Sequence, residues 1–329
     1  MNIVITDCDH GFITPEREVI EGAGHRLFLH ECRTSQDVAE AARGADALIC
    51  QSVRITAGVL RNLPRCKVVG RYGVGLDNVD VNAATALGIK VVHVPDFCFE
   101  EVADHTLSLI LALARRITTL NHLWKRDATS FVAQWDKRLR LVQGVRRFSE
   151  QIVGVIGLGK IGLTVALRSR AVGFKVIGHD PFIPLERMAE WDIAGCSLEE
   201  LLTDSDIVTL HVPLTDTTRG LIGKRELDRM KRTACLVNTS RGDVVVESAL
   251  VQALKEGWIA GAALDVMSVE PLPVDHPFLL MENVILTPHV AFYSDVSIQD
   301  VKARTALYVL RALRDEGEYC LANPEVLAK

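Results

Sequence analysis

The chain has 329 residues, of which 48% are hydrophobic and 24% charged, and its net charge is −5. At this length two domains are expected, each large enough for its own core, in an ordinary soluble globular protein. The negative balance gives no reason to expect nucleic acid or an anionic membrane as partner, and no apolar run reaches the length of a membrane span.

The opening MNIVITDCDH reads as a strand rather than a charged leader before an apolar segment, so no signal peptide is expected. Eight cysteines, at 8, 32, 50, 66, 98, 196, 235 and 320, form no CxxC pair; with Cys50 and Cys235 inside apolar runs, they read as reduced core thiols of a cytoplasmic protein. Strands are predicted over 2–6, 26–30, 47–50, 67–71 and 91–95, with helices over 15–23, 35–43, 56–62 and 80–87 between them. Strands alternating with helices of that length make a parallel sheet. Asp7-Cys8-Asp9-His10 has the residue types of a metal cluster or of a polar loop closing the first strand. The polar loop is the reading adopted, and no metal is expected. Gly73 and Gly75, in RYGVGLDNVD, either aim backbone N–H groups at an anion or simply make a tight turn before the next helix.

A long helix is predicted over 101–120, with Val102, Leu107, Ile110, Leu111, Ala114 and Ile117 on a broad apolar face. His105 within it either faces a cofactor or is a satisfied helix histidine. Residues 121–150 are polar, rich in Arg and Lys, and carry Trp124 and Trp135. They read as a solvated face or a dimer arm ahead of a nucleic-acid site, because aromatic residues do not interleave the charges regularly.

The stretch 151–181 organises the rest. An apolar strand over 152–156 leads into Gly157-Leu-Gly159-Lys160-Ile161-Gly162, then a helix over 163–171, and a second strand over 174–178 that runs to Asp180. Gly157 permits the tight turn, Gly159 lets the backbone approach a pyrophosphate, and Gly162 lets helix and strand pack closely. The helix N-terminus offers its N–H groups to the phosphates. Asp180, 18 residues beyond the third glycine, is placed to accept from the adenosine ribose hydroxyls and to repel a 2′-phosphate. No Arg follows it directly, so NAD(H) is favoured over NADP(H); an ordinary turn Asp is the alternative.

Strands are predicted again over 207–212, 233–238, 261–265 and 284–287, with helices over 197–202, 224–230 and 247–256. Each of these strands runs into a segment carrying polar residues: 211–213 with His211 ahead of Pro213, then 238–243, then Asp265, then Thr287 and His289. In an open parallel sheet the ligand lies across those carboxyl ends. A final helix over 294–316, with Ser297 as N-cap and Asp300 as its capping-box partner, is expected to return to the first domain. The expected fold is therefore α/β, with two doubly wound parallel-sheet domains. A Rossmann NAD domain over 102–293 is inserted into a flavodoxin-like substrate domain formed by 1–101 and 294–329.

RYGVGLDNVD, GVIGLGKIG, HVPLT, LVNTSRGDVVVESALVQALKEG, GAALDV, VEPLP and LTPHVA together resemble the D-isomer-specific 2-hydroxyacid dehydrogenases, nearly end to end. The resemblance implies an NAD-dependent enzyme that moves a hydride between NAD(H) and a small 2-keto or 2-hydroxy acid. It implies catalytic roles for Arg241, Glu270 and His289. Imidazole titrates near working pH and suits the proton donor; Glu270 would fix its tautomer and favour its protonated form, and Arg241 would grip carboxylate and carbonyl through its planar fork. The amides of Val74 and Gly75 would bind the same carboxylate. Cofactor contacts are implied for Thr106, for Lys160 and Ile161 beside the three glycines, and for Asp180, His211, Pro213, Thr218, Thr239 and Asp265. Gln51 and Ser52, in the loop after the third strand, and Phe292 would line the substrate. Arg54 in that loop pairs with a second anionic group or is a surface residue. A homodimer through the NAD domain is the family expectation.

GRYGVGLDNVD, Arg115-Arg116-Ile-Thr-Thr and His289-Val-Ala-Phe292-Tyr293-Ser294 lean toward the branch holding the C-terminal-binding-protein corepressors and phosphoglycerate dehydrogenase-like enzymes. Those corepressors carry Trp where this chain has Phe292. A second reading, an NAD(H)-sensing binding protein with little turnover, therefore stands beside the dehydrogenase.

Overall fold

The structure is a computed structural model that describes residues 1–9, 11–126 and 135–328. His10 of the first polar loop and the middle of the 121–150 arm lie outside the described residues. The chain divides into two compact units, Met1–Cys98 with Ser294–Lys329, and Phe99–Tyr293.

Unit 1 holds β1 (Asn2–Ile5), α1 (Thr14–Gly22), β2 (Arg26–Leu29), α2 (Ser35–Ala41), β3 (Ala47–Cys50), α3 (Ala57–Arg61), β4 (Val68–Arg71), α4 (Val81–Ala86) and β5 (Lys90–His93). Its five strands are all parallel, in the order β2-β1-β3-β4-β5. That is the flavodoxin-like order, with the switch point between β1 and β3. Alternate residues of the strands go to opposite cores: Val4, Leu48 and Val69 to one side, Ile3, Ile5, Ile49 and Val68 to the other. Each fully buried side chain of this size contributes roughly 1.5–3 kcal/mol.

The closing helix, Asp295–Arg314, packs on α1 and β4. Gly70 of β4 makes room for it, since a Cβ there would stand 2.6 Å from Val309. Lys302 on this helix and Glu16 on α1 form a fully buried ion pair at 2.8 Å, with the Phe12 and Tyr72 rings about the ammonium at 5.0 and 5.1 Å. The N-cap lies three residues before the expected one. Ser294 is the N-cap and Ser297 its reciprocal partner, because the Ser-x-x-Ser spacing satisfies both backbone N–H groups.

Unit 2 opens with α5 (Phe99–Ala114), α6 (Ile117–Arg126) and α7 (Trp135–Val142). The single helix expected over 101–120 is thus two. Arg116 adopts a left-handed conformation (φ 53°), which ends α5, and its guanidinium donates to the Leu141 carbonyl at 2.9 Å. Then come β6 (Ile152–Ile156), α8 (Lys160–Ala171), β7 (Lys175–His179), α9 (Leu185–Glu190), β8 (Ala194–Gly195), α10 (Leu198–Asp204) and β9 (Ile207–Leu210). The remainder is α11 (Lys224–Arg229), β10 (Cys235–Asn238), α12 (Glu247–Glu256), β11 (Gly261–Leu264) and β12 (Val284–Leu286). α9 and the two-residue β8 were not foreseen.

The seven strands are all parallel, ordered β12-β11-β10-β9-β6-β7-β8, so the strand order reverses between β6 and β9. β9 and β11 are buried along their whole length, as strands covered by helices on both faces are. No helix among the described residues is long and apolar enough to cross a membrane.

Candidate active site

The first half of the unit 2 site is made of backbone. Gly157 sits at φ 87°, and a Cβ on it would stand 2.7 Å from the His211 carbonyl. A Cβ on Gly162 would run into the Gly157 carbonyl, so this glycine sets how closely α8 approaches the turn. Gly159 differs: a Cβ there would meet nothing within 4 Å. It is the N-cap of α8, no side chain caps the helix there, and the helix proper starts at Lys160, three residues earlier than expected. The loop therefore leaves open space where the helix N-terminus and its positive dipole end point, with the Lys160 and Ile161 amides in the first turn. That is the cradle a dinucleotide pyrophosphate fits.

Asp180 stands at the end of β7 as expected. Its carboxylate accepts from the Leu158 amide at 2.9 Å and from the Phe182 amide at 2.9 Å, which anchors it to the glycine turn. His211 follows β9; burial pushes its imidazole down to about 3, so the ring is neutral at working pH, 2.9 Å from the Thr209 hydroxyl. Thr218 donates to the Pro213 carbonyl at 2.5 Å and closes the loop after β9.

The second half is made of side chains on three loops. After β10, the Asn238 side chain accepts from the Ser240 amide at 3.0 Å and donates to the Arg241 carbonyl at 2.9 Å, building the turn that carries Arg241. Arg241 itself donates to the Ser240 carbonyl at 2.7 Å. A Cβ on Gly242 would collide with the Met267 backbone, so this glycine lets the Arg241 loop lie directly against the loop of Glu270. Glu270 accepts from the Met267 amide at 2.9 Å with one oxygen and pairs with His289 Nδ1 at 2.7 Å with the other. Partial burial pushes the Glu270 carboxyl up. The His289 hydrogen bond and charge, the Met267 amide and the Arg241 charge outweigh this and hold it below the ordinary value.

His289 lies in the loop after β12 at φ 54°, a conformation uncommon outside glycine that clusters at functional sites. Its amide donates to the Asp265 carbonyl at 2.8 Å, and the Asp265 carboxylate accepts from the Val290 and Ala291 amides at 3.0 and 2.9 Å. The contact with Glu270 engages Nδ1 of the ring and not Nε2. Phe292 stands edge-on to the ring, with centroids 6.2 Å apart. Arg241, Glu270 and His289 are thus brought together. Asp265 holds the histidine loop, a role its expected contact with the cofactor did not suggest. Thr106 is fully buried; it reaches this region through Thr239, whose hydroxyl lies 2.8 Å away.

In unit 1, Gln51 and Ser52 follow β3 and Val74 and Gly75 follow β4. Their organiser is Asp7, whose carboxylate accepts from the Gln51, Ser52 and Val53 amides at 3.0, 2.5 and 2.9 Å. Asn78 donates to the Gln51 and Val53 carbonyls at 3.2 and 3.0 Å and ties the two loops together. His93 Nδ1 holds the Val74 carbonyl at 3.1 Å. Asp7 thus does more than close the first strand, because it anchors the loop after β3.

A doubly wound parallel sheet with a glycine cradle at its switch point is the architecture of dinucleotide-dependent oxidoreductases. Residues 107–291 match the family model for the NAD binding domain of D-isomer specific 2-hydroxyacid dehydrogenases. A glyoxylate reductase of Korarchaeum cryptofilum is 40% identical over 303 residues, covering 92% of this chain and 90% of that one. A D-3-phosphoglycerate dehydrogenase of Methanocaldococcus jannaschii is 39% identical over 285 residues, covering 86% of this chain and 52% of that one. The solved structure of the Aquifex aeolicus D-lactate dehydrogenase, complexed with NAD and lactic acid, matches with a TM-score of 0.82 over 96% of each chain at 28% identity. The chain therefore belongs to the D-isomer specific 2-hydroxyacid dehydrogenase family and is an NAD-dependent oxidoreductase.

Proposed function

We propose that the protein reduces a small 2-keto acid to the D-2-hydroxy acid, with His289 as proton donor, Glu270 as its orienting carboxylate and Arg241 as the substrate clamp. The observation that carries this reading is the 2.7 Å pair between Glu270 and His289 Nδ1, which leaves Nε2 to face the reacting oxygen. Bound NADH supplies the hydride. His289 gives its Nε2 proton to the oxygen that becomes the hydroxyl, and Glu270 stabilises the ring while it is charged. Arg241 polarises the carbonyl and holds the carboxylate in one plane. Asp180 selects NAD(H), the glycine cradle holds the pyrophosphate, and Thr106, His211, Pro213, Thr218, Thr239 and Asp265 line or support the rest of the cofactor site.

Glyoxylate is the first substrate to test, since the chain spans nine-tenths of a glyoxylate reductase. Within unit 1, the loops of Gln51, Ser52, Val74 and Gly75 are proposed to bind a carboxylate. The exposed apolar residues Ile117, Trp124 and Leu139 support a homodimer built through the arm of unit 2. Eight free thiols suit a reducing, cytoplasmic setting.

The test is NADH oxidation against a panel of 2-keto acids, with His289→Ala in parallel. Turnover that disappears in the variant supports the reading. Tight NADH binding with no acid turned over would favour an NAD(H)-sensing protein instead.

A further inference from the structure

α5 meets the catalytic loops at two consecutive residues, and the direction of the hydrogen bonds there is fixed by counting protons. Thr287 donates to Asp265 Oδ1 at 2.6 Å, which commits its one hydroxyl proton. His105 Nε2 lies 3.0 Å from the same Thr287 oxygen, so His105 must be the donor. The chain therefore runs from His105 Nε2–H to Thr287 Oγ1–H to the Asp265 carboxylate. Asp265 is 1% exposed and also gathers the Val290 and Ala291 amides on either side of the loop that holds His289 at positive φ. Next along the helix, Thr106 spends its proton on the Val102 carbonyl at 2.6 Å, so Thr239 donates to Thr106 at 2.8 Å. Thr239 stands two residues before Arg241.

We propose that His105 is a positioning residue for the proton donor. Through Thr287 and Asp265 it fixes the loop that aims His289, while the neighbouring Thr106 pins the loop of Arg241 to the same turn of α5. This rests on the reading of His289 as the proton donor. The helix is a suitable template because it is itself held: Val102, Ala103, Leu109 and Ile110 are buried, and Arg168 of α8 donates to the Glu100 carbonyl at 2.8 Å and the Asp104 carboxylate at 2.7 Å. Side chains packed on a rigid element keep a site in register better than loops alone. Losing one such bond should cost about tenfold in turnover.

The experiment compares His105→Leu and Thr287→Val, which remove the donor and the link, with His105→Gln and Thr287→Ser, which restore them. NADH oxidation with glyoxylate is followed, and NADH binding is measured by fluorescence as a check that each variant is folded. The proposal expects kcat to fall about tenfold in the first pair, with the glyoxylate KM and the NADH affinity unchanged, and to return in the second pair. Wild-type kcat in all four, with His289→Ala inactive, would overturn it. An active His289→Ala would instead overturn the proton-donor reading. A second arm needs no turnover: in the spectrum of ¹⁵N-histidine-labelled protein, His105 should be protonated at Nε2, and Thr287→Val should move the ring signals of both His105 and His289. A proton on Nδ1 alone, or an unmoved His289, contradicts the proposal.

Discussion

The two halves of the unit 2 site are built on opposite principles. Around β6, α8 and β7 the cradle is backbone, and what matters is where side chains are missing: Gly157 and Gly162 have no room for a Cβ, and Gly159 keeps space open for a ligand. Along the ends of β10, β11 and β12 the groups proposed to do the chemistry are the side chains of Arg241, Glu270 and His289, each on a different loop and each held by a partner. A cradle for a phosphate needs only N–H groups and a dipole, which any sequence can supply once glycine clears the way. Proton transfer needs a titratable group aimed within hydrogen-bond reach, so the second half depends on Asn238, Gly242, Asp265 and the Met267 amide to hold it.

Variants can break that contrast at several levels. The largest effect is expected at Arg241. Arg241→Lys keeps the charge and loses the fork, and kcat/KM for keto-acid reduction should fall by roughly 10²-fold or more while NADH still binds. Near-normal turnover would remove Arg241 from the chemistry. Gly242→Ala comes next, because the methyl would strike the Met267 backbone rather than a flexible side chain. Loss of about 1–3 kcal/mol in denaturant unfolding should accompany loss of activity; an unchanged unfolding midpoint would show that the two loops can separate without penalty. A milder change is expected on the backbone side. Asp180→Ala removes the carboxylate at the glycine turn and should narrow the preference for NADH over NADPH, read as the ratio of their kcat/KM values. An unchanged ratio would leave Asp180 only as an anchor for the Leu158 and Phe182 amides.

The same contrast explains what could be read from the chain. The glycine cradle was legible because its strand, turn, helix and acid are contiguous, and a missing Cβ is visible as a letter. Both sheets were legible from the alternation of apolar strands and helices, though the two-residue β8 is too short to leave a pattern. Arg241, Glu270 and His289 emerged only as members of motifs with a family resemblance, because taken singly each reads as a surface or loop residue. Asp7 and Gly242 were missed as organisers since what they touch lies far along the chain, at 51–53 and at Met267. The break before α6 was hidden because arginine is a good helix former and the apolar face continues through Ile117. His105 has two readings in the sequence because nothing there says that Thr287 lies opposite it.

The measurement that tests the central claim most directly is the pH dependence of NADH-driven glyoxylate reduction in wild type and Glu270→Gln. Burial pushes the Glu270 carboxyl up, but His289, the Met267 amide and Arg241 outweigh it and hold the group below its ordinary value, which favours the anion beside His289. Reduction needs the proton on His289, and the glutamine removes the anion that helps keep it there. The alkaline limb of the profile should therefore move to lower pH in Glu270→Gln, with activity recovering as the medium is acidified. A limb that stays where it is in the variant would contradict the assignment of His289 as the proton donor paired with Glu270.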